Sequence, residues 1–454
     1  MIYLLPVILA IETLCIYMIS KDVLNSSFVF AAVFFISSVN LMTNVSTVGV
    51  SLHFLTGLYI VIGCFAFFCG SVITGKLRIK NSKITILHLK RRNQFNTNVF
   101  FLTFVLVFNV VSIAYILREV YHLTQVYAYY RGALLGSLSV FAEVQKFGTI
   151  GLKVGTISTF LTAFLEAEAY VTGYILVSCL VHKEKMNFLL LLCFITSFMS
   201  TLCQGSRGGV FIFIALAFLY IMLDRKKRHT KRIQSKIIKK AIIVVIIGFV
   251  IFQVSGEITG KMWDVSWYEY LSVYLGFPIY NFDFAMTNGI PLADIIGADS
   301  FGGLYSNLLP RLGFDFQSYT AYNGSSGFRY LNGHNMGNVY TIYKNLIADF
   351  GYIGAIIATV IIGALMQLLY NKAIKDDSKI SVTQIIYAYF LSCTVFSFFS
   401  NKIFEAVTVY HIFEFVFLYV WNLLLTKKTG LSRARKHNKS QVGVTGINLL
   451  RDSV

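Results

Sequence analysis

The sequence predicts an all-α polytopic membrane protein of about eleven transmembrane helices (ten to twelve). Three observations carry that reading. The 454-residue chain is 56% hydrophobic, 16% aromatic and only 13% charged, where a soluble domain carries roughly 25% charged residues. Mean hydropathy is +0.68, which excludes both a soluble globular domain and a disordered chain. Apolar runs near bilayer length recur along the chain, and the basic residues concentrate in alternate connections between them.

In order, the runs cover about 2–20, 28–45, 54–74, 98–117, 155–181, 187–203, 208–223, 241–254, 351–370, 382–400 and 406–425. The first has no basic segment before it and no small-residue cleavage site, so it reads as a retained span. Four prolines in the whole chain leave no Pro-rich linker. The seven cysteines lie in or beside apolar runs without a CxxC pair, and read as small buried residues.

The net charge of +18 fits the positive-inside rule and needs no nucleic acid as partner. Residues 75–97 hold Lys76, Arg78, Lys80, Lys83, Lys90, Arg91 and Arg92; residues 224–240 hold nine more Lys and Arg, and the tail seven. With these in the cytoplasm, 29 Lys and Arg fall inside and 10 outside. The N-terminus is then outside and the C-terminus cytoplasmic. Residues 1–426 form a single helical membrane domain, and 427–454 a basic cytoplasmic tail held near anionic lipids. Two outer segments are long, about 118–154 and about 255–350.

The 255–350 segment carries the chemistry. It holds Pro278, Pro291 and Pro310, twelve glycines and ten tyrosines, the composition of a structured loop. Its beginning, Trp263 to Leu275, reads as a short interfacial helix: either an aromatic belt or a stacking surface for sugar rings. Lys261, Arg311, Arg329 and Lys344 lie here, and Arg118, Arg131, Lys146 and Lys153 in the 118–154 segment. Cations retained outside, against the positive-inside rule, either end helices at the interface or bind phosphate, for which the arginine fork is suited. Arg207 sits in Gly205-Ser-Arg-Gly-Gly209 between two spans, where glycines allow backbone amides close approach to an anion. His334, in Leu331-Asn-Gly-His-Asn-Met-Gly-Asn338, is a general base, a hydrogen-bond donor or a turn cap.

Glu166 and Glu168 fall in mid-span, with Glu12 and Glu414 as isolated intramembrane carboxylates. Such groups are expensive and read either as functional or as paired inside the bundle. Two residues apart, Glu166 and Glu168 do not share a helical face. The sequence has no Walker A loop, HExxH, Cys/His cluster or GxSxG, so no metal or other cofactor is expected.

The segment Gly333-His-Asn-Met-Gly-Asn-Val-Tyr-Thr341, continuing to Ile347-Ala-Asp-Phe-Gly-Tyr-Ile-Gly354, resembles bacterial Wzy-type oligosaccharide repeat-unit polymerases. So do Gly205-Ser-Arg-Gly-Gly209 and the plan of many spans with one large late outer loop. The resemblance implies a metal-independent membrane glycosyltransferase in the bacterial cytoplasmic membrane. It would polymerise repeat units of a surface polysaccharide (O-antigen, capsule or exopolysaccharide) on the outer face, moving the growing glycan from undecaprenyl pyrophosphate to the next lipid-linked repeat. It further implies the lipid bilayer and the undecaprenyl-pyrophosphate-linked oligosaccharide as partners, with a chain-length regulator and a repeat-unit flippase as companions. A convincing pair of Arg motifs, found in two outer loops of some members, is missing here.

Such a reaction needs a cationic site for the leaving pyrophosphate, a base for the acceptor hydroxyl and a groove for both sugars. Arg207, Arg311 and Arg329 are assigned to the pyrophosphate, and His334 is the leading base, with Glu166 or Asp349 in reserve. Asp349 alternatively caps the Asp-Phe-Gly turn into the next helix. Lys344, Arg118 and Arg131 are further phosphate ligands; Tyr319, Tyr322, Tyr330 and Tyr340 line the sugar groove. The alternatives are an O-antigen-ligase-like transferase and a polysaccharide flippase or transporter, the latter disfavoured by the lack of an internal repeat.

Overall fold

A computed structural model describes residues 1–76, 95, 98–147, 154–203, 208–227, 266–309, 312–314 and 328–426. Helices dominate them. Five are long and apolar enough to cross a membrane, within α2 (Ser26–Thr43), α4 (Phe54–Lys76), α5 (Val99–Tyr127), α7 (Thr156–His182) and α13 (Ile342–Lys375). Shorter apolar helices are α1 (Leu4–Ser20), α8 (Phe188–Cys203), α9 (Gly208–Lys227), α14 (Val382–Val395) and α16 (Val409–Leu425). Every predicted run except 241–254, which lies outside the described residues, coincides with one of these. The remaining helices are α3 (Val45–Val48), α6 (Leu134–Phe147), α10 (Trp267–Leu275), α11 (Phe277–Asn288), α12 (Gly302–Leu308) and α15 (Lys402–Glu405).

Small residues set the closest helix pair. A β-carbon on Gly70 of α4 would overlap the Val360 carbonyl of α13, and one on Gly363 would overlap the Phe67 carbonyl. Glycine at both crossings lets the backbones meet, the usual device where helices pack without a hydrophobic driving force. Tyr343 at the head of α13 is fully buried among Phe30, Phe34, Tyr59 and Phe282, binding α2, α4 and α11 around it. A second group gathers around α7: the Trp421 Nε1–H donates to the Phe164 carbonyl at 3.0 Å, and the Asn109 amide donates to Glu168 at 2.9 Å. Tyr174 on α7, donating to Gln384 on α14 at 3.0 Å, ties the two groups together.

At one end Lys21 and Lys183 follow α1 and α7, and Lys375 closes α13. There Asn25 and Ser71 both donate to Gln367, at 2.9 and 2.7 Å. At the other end, α10, α11 and a two-stranded antiparallel hairpin, β1 (Arg329–Leu331) and β2 (His334–Gly337), cover the helix ends. We call this the hairpin end.

Two boundaries differ from the sequence expectation. α5 continues to Tyr127 and is followed by α6, so much of the expected 118–154 loop is helix, carrying Arg118 on it; the apolar pattern fades there while helix propensity does not. The expected 382–400 run stops at Val395 in a turn before α15. Of the expected interfacial helix, Trp267–Leu275 is α10, and Trp263 lies outside the described residues. Conversely, α13 breaks where the run was expected to start: Gly351 has φ +68° and ψ 176°, a region essentially reserved for glycine.

Candidate functional site at the hairpin end

The hairpin turns on Asn332-Gly333, whose φ values of 47° and 83° are those of a two-residue type I′ connection. Its tip is tied down by Asn332, whose side-chain amide donates to the Val48 carbonyl at 2.9 Å. Its second strand is tied to α11 by Asn281, which donates to the Met336 and Val339 carbonyls at 2.8 and 3.0 Å. Beneath it, Gly276 between α10 and α11 abuts Asn40 and Leu41 so closely that no β-carbon fits. These contacts seat the strands and α10–α11 on α2.

Three polar arrangements result. His334 Nδ1 lies 2.8 Å from Glu269 Oε1. Glu269 stands in the first turn of α10, whose Ser266 cap accepts its backbone N–H. The carboxylate partner holds the ring proton on Nδ1, leaving Nε2 as an acceptor. A second imidazole does the same: His53, just before α4, has Nδ1 2.9 Å from Asp283 Oδ2, and its backbone N–H donates to Asp283 Oδ1 at 3.1 Å. Asp283 is buried and His53 is 62% exposed, so its ring edge faces solvent.

The third arrangement is built on Arg329. Its guanidinium carbon is 3.0 Å from the centre of the Phe284 ring, and its Nε is buried without a hydrogen-bond partner. Tyr280, one turn before Phe284, feels both Arg329 and Asp283; burial raises its hydroxyl pKa, Arg329 pulls it down and Asp283 pushes it up. Stacking holds the arginine plane while leaving donors unspent.

A neighbouring group is structural. The Asp349 carboxylate accepts backbone N–H groups of Asp299 and Ser300, at 2.9 and 2.6 Å, and the Ala293 N–H donates to the Ala348 carbonyl at 2.8 Å. Asp349 thus pins the 293–300 loop to α13. Lys344 is buried with its Nζ 3.8 Å from the Tyr340 ring centre, within reach of Asp299. Burial, then the Asp349 charge, push the Asp299 carboxyl up to about 6, against a downward pull from Lys344. Beside Asp349 opens an apolar groove of about 680 Å³, whose lining includes Leu292, Ile296, Phe301, Gly351, Ile357 and Phe404.

The sequence-predicted residues therefore divide. His334 and Arg329 share the hairpin. Lys344, Tyr340 and Asp349 form the adjoining anchor. Tyr330, 67% exposed, alternates away from the face that Arg329 presents to α11. Arg118 and Arg131 are exposed on α5 and the turn after it. Glu166 sits in the bundle, accepting the Tyr410 hydroxyl at 2.5 Å. Arg207, Arg311, Tyr319 and Tyr322 lie outside the described residues. Sequence reasoning missed Glu269, His53, Asp283 and Phe284. Asn332-Gly333 between alternating residues was a signal for the hairpin; no local pattern linked Glu269 or His53 to it. No group of three or more His, Cys, Asp or Glu among the described residues is arranged to hold a metal ion. Compared with known proteins, the chain matches no family model, no curated protein and no solved structure.

Proposed function

We propose that this membrane protein polymerises lipid-linked oligosaccharide repeat units of a bacterial surface polysaccharide, acting on the outer face of the cytoplasmic membrane. It spans that membrane about eleven times with its hairpin end outward. The observation that carries the reading is the hairpin itself, which holds a carboxylate-oriented histidine and a ring-stacked arginine with an unspent buried donor.

In the reaction, the acceptor sugar hydroxyl attacks the anomeric carbon of the donor glycan. Its proton passes to His334 Nε2, and the imidazolium that forms is stabilised by Glu269. The glycosidic C–O bond to phosphate breaks, and undecaprenyl pyrophosphate leaves with the bonding pair. Arg329 meets the charge that grows on the departing pyrophosphate, with Arg207 and Arg311 as further cations. The pyrophosphate linkage supplies the driving force. The apolar groove beside Gly351 suits an isoprenoid chain. Asp349 and Lys344 act as positioning residues; Tyr340 supports Lys344.

The test is the length distribution of the surface glycan in a strain lacking this protein. Single repeats that remain exported and lipid-linked are the expected result. Full-length polymer retained on its lipid carrier would instead indicate a ligase, repeats trapped on the inner leaflet a flippase, and an unchanged glycan would overturn the proposal.

A further inference from the structure

Two carboxylates lie on packed neighbouring helices, apart from the hairpin site: Tyr410, one turn before Glu414 on α16, donates to Glu166 on α7. Glu414 on α16 is 1% exposed, and neither of its carboxylate oxygens has a hydrogen-bond partner. Glu166 on α7 is half-buried and acts electrostatically on Glu414; its Oε2 accepts the Tyr410 hydroxyl. The helices that carry them pack side by side, with Phe164 against Phe417 and Trp421. Two ionised carboxylates in one low-dielectric site repel each other, and an ionised carboxylate with no donor pays its full desolvation cost. One proton relieves both penalties, because it removes a charge and supplies the missing donor.

The groups around the pair do not replace that proton. Tyr170 on α7, Tyr389 and Cys393 on α14, and Tyr410 on α16 lie in the field of one or both glutamates. All four are neutral at ordinary pH. His411, beside Tyr410, has its Nδ1 2.8 Å from the Thr408 hydroxyl. Among the described residues, Lys402 on α15 acts on Cys393 and is ion-paired with Glu405. Among the described residues, no lysine or arginine of α5, α8 or α9 is seen to act on either glutamate.

A solvent-exposed carboxylate lies close to the same group. Glu405 is 45% exposed, and both it and Glu414 act on Tyr389 and Cys393. This surface lies at the hairpin end, where the Ile342 N–H at the head of α13 donates to the Ser397 carbonyl at 2.9 Å. Glu414 is five residues into α16, about 8 Å along a helix. Beyond Glu166, α7 is buried from Ala167 to Cys179.

We propose that Glu166 and Glu414 form a proton-binding site, in which the pair holds one shared proton exchanged with water at the hairpin end of the bundle. The proton comes from water and returns to it, and no other bond is made or broken. The site does not depend on the polymerase reading.

Infrared difference spectroscopy of the full chain in lipid vesicles tests this. The vesicles are oriented with the hairpin end outward. The wild-type protein at neutral pH is expected to show a protonated-carboxyl carbonyl band that shifts on deuterium exchange. Glu414→Gln and Glu166→Gln should each remove the same single band, whereas Glu168→Gln should leave it in place. The band should follow external pH. Both substitutions are near-isosteric; if one variant does not fold, the other carries the test. A band that survives both substitutions, that follows only internal pH, or that disappears on adding sodium ions at constant pH would overturn the proposal.

Discussion

Glu269 Oε1 lies 2.8 Å from His334 Nδ1 across 65 residues of chain. Neither residue finds the other by local structure. Ser266 caps α10 and sets the carboxylate in its first turn; Asn281 and Asn332 clamp the hairpin that carries the imidazole. The ring is held from both sides, which defines what each substitution should do.

His334→Ala is expected to lower repeat-unit polymerisation by about 10²–10⁴-fold, the usual worth of a positioned general base. Glu269→Gln should cost less, about tenfold, because the amide still meets the ring but no longer stabilises the imidazolium. Glycan length distributions in membranes bearing each variant report both, and normal polymer from His334→Ala removes this histidine from the reaction.

Arg329→Lys should behave almost like Arg329→Ala. A lysine keeps the charge but loses the plane that stacks on Phe284 and the Nε donor. Loss of about 10²-fold in polymer yield is expected for both, and full rescue by lysine would mean that the position needs only a charge.

Asp299 gives a pH signature. Burial, with the Asp349 charge, raises its carboxyl to about 6 from an ordinary 3.8. Between these values the folded protein holds a proton that the unfolded chain releases. Its contribution to stability is therefore greatest on the acid side, falls as pH rises through about 4 to 6, and is level above. The unfolding temperature of Asp299→Asn, relative to that of the wild type, should rise with pH across that window. Equal slopes would place the dependence elsewhere.

Gly363→Leu should disrupt the α4–α13 crossing, since even a β-carbon overlaps the Phe67 carbonyl. Overpacking of this kind costs at least about 1–3 kcal/mol, read as a lower unfolding temperature in detergent. Gly351→Ala tests the break in α13: no neighbour lies within reach of its β-carbon, so any loss, about 1–3 kcal/mol, comes from the backbone region alone.

Much of this was legible in the sequence. Apolar run length marked ten helices, because bilayer thickness leaves a local signature; Gly351, where one run was expected to start, is instead a break inside α13. His334 and Arg329 stood out as polar residues in a Gly- and Tyr-rich segment. The hairpin carrying both was announced by Asn332-Gly333, a two-residue signal inside a loop of nearly a hundred residues. Arg118 read as loop but is helical, since an amphipathic extension of a span has no sharp hydropathy edge.

The sequence by itself determined that the chain is a helical membrane protein and where most of its apolar helices lie. These follow from composition and spacing, which are properties of neighbouring residues. Only the tertiary structure decided the partners: Glu269 for His334, Asp283 for His53, Phe284 for Arg329, and Tyr410 for Glu166. Each pair joins elements distant in the chain, and side-chain partnership over such separations is set by helix packing and cap geometry rather than by any pattern along the backbone.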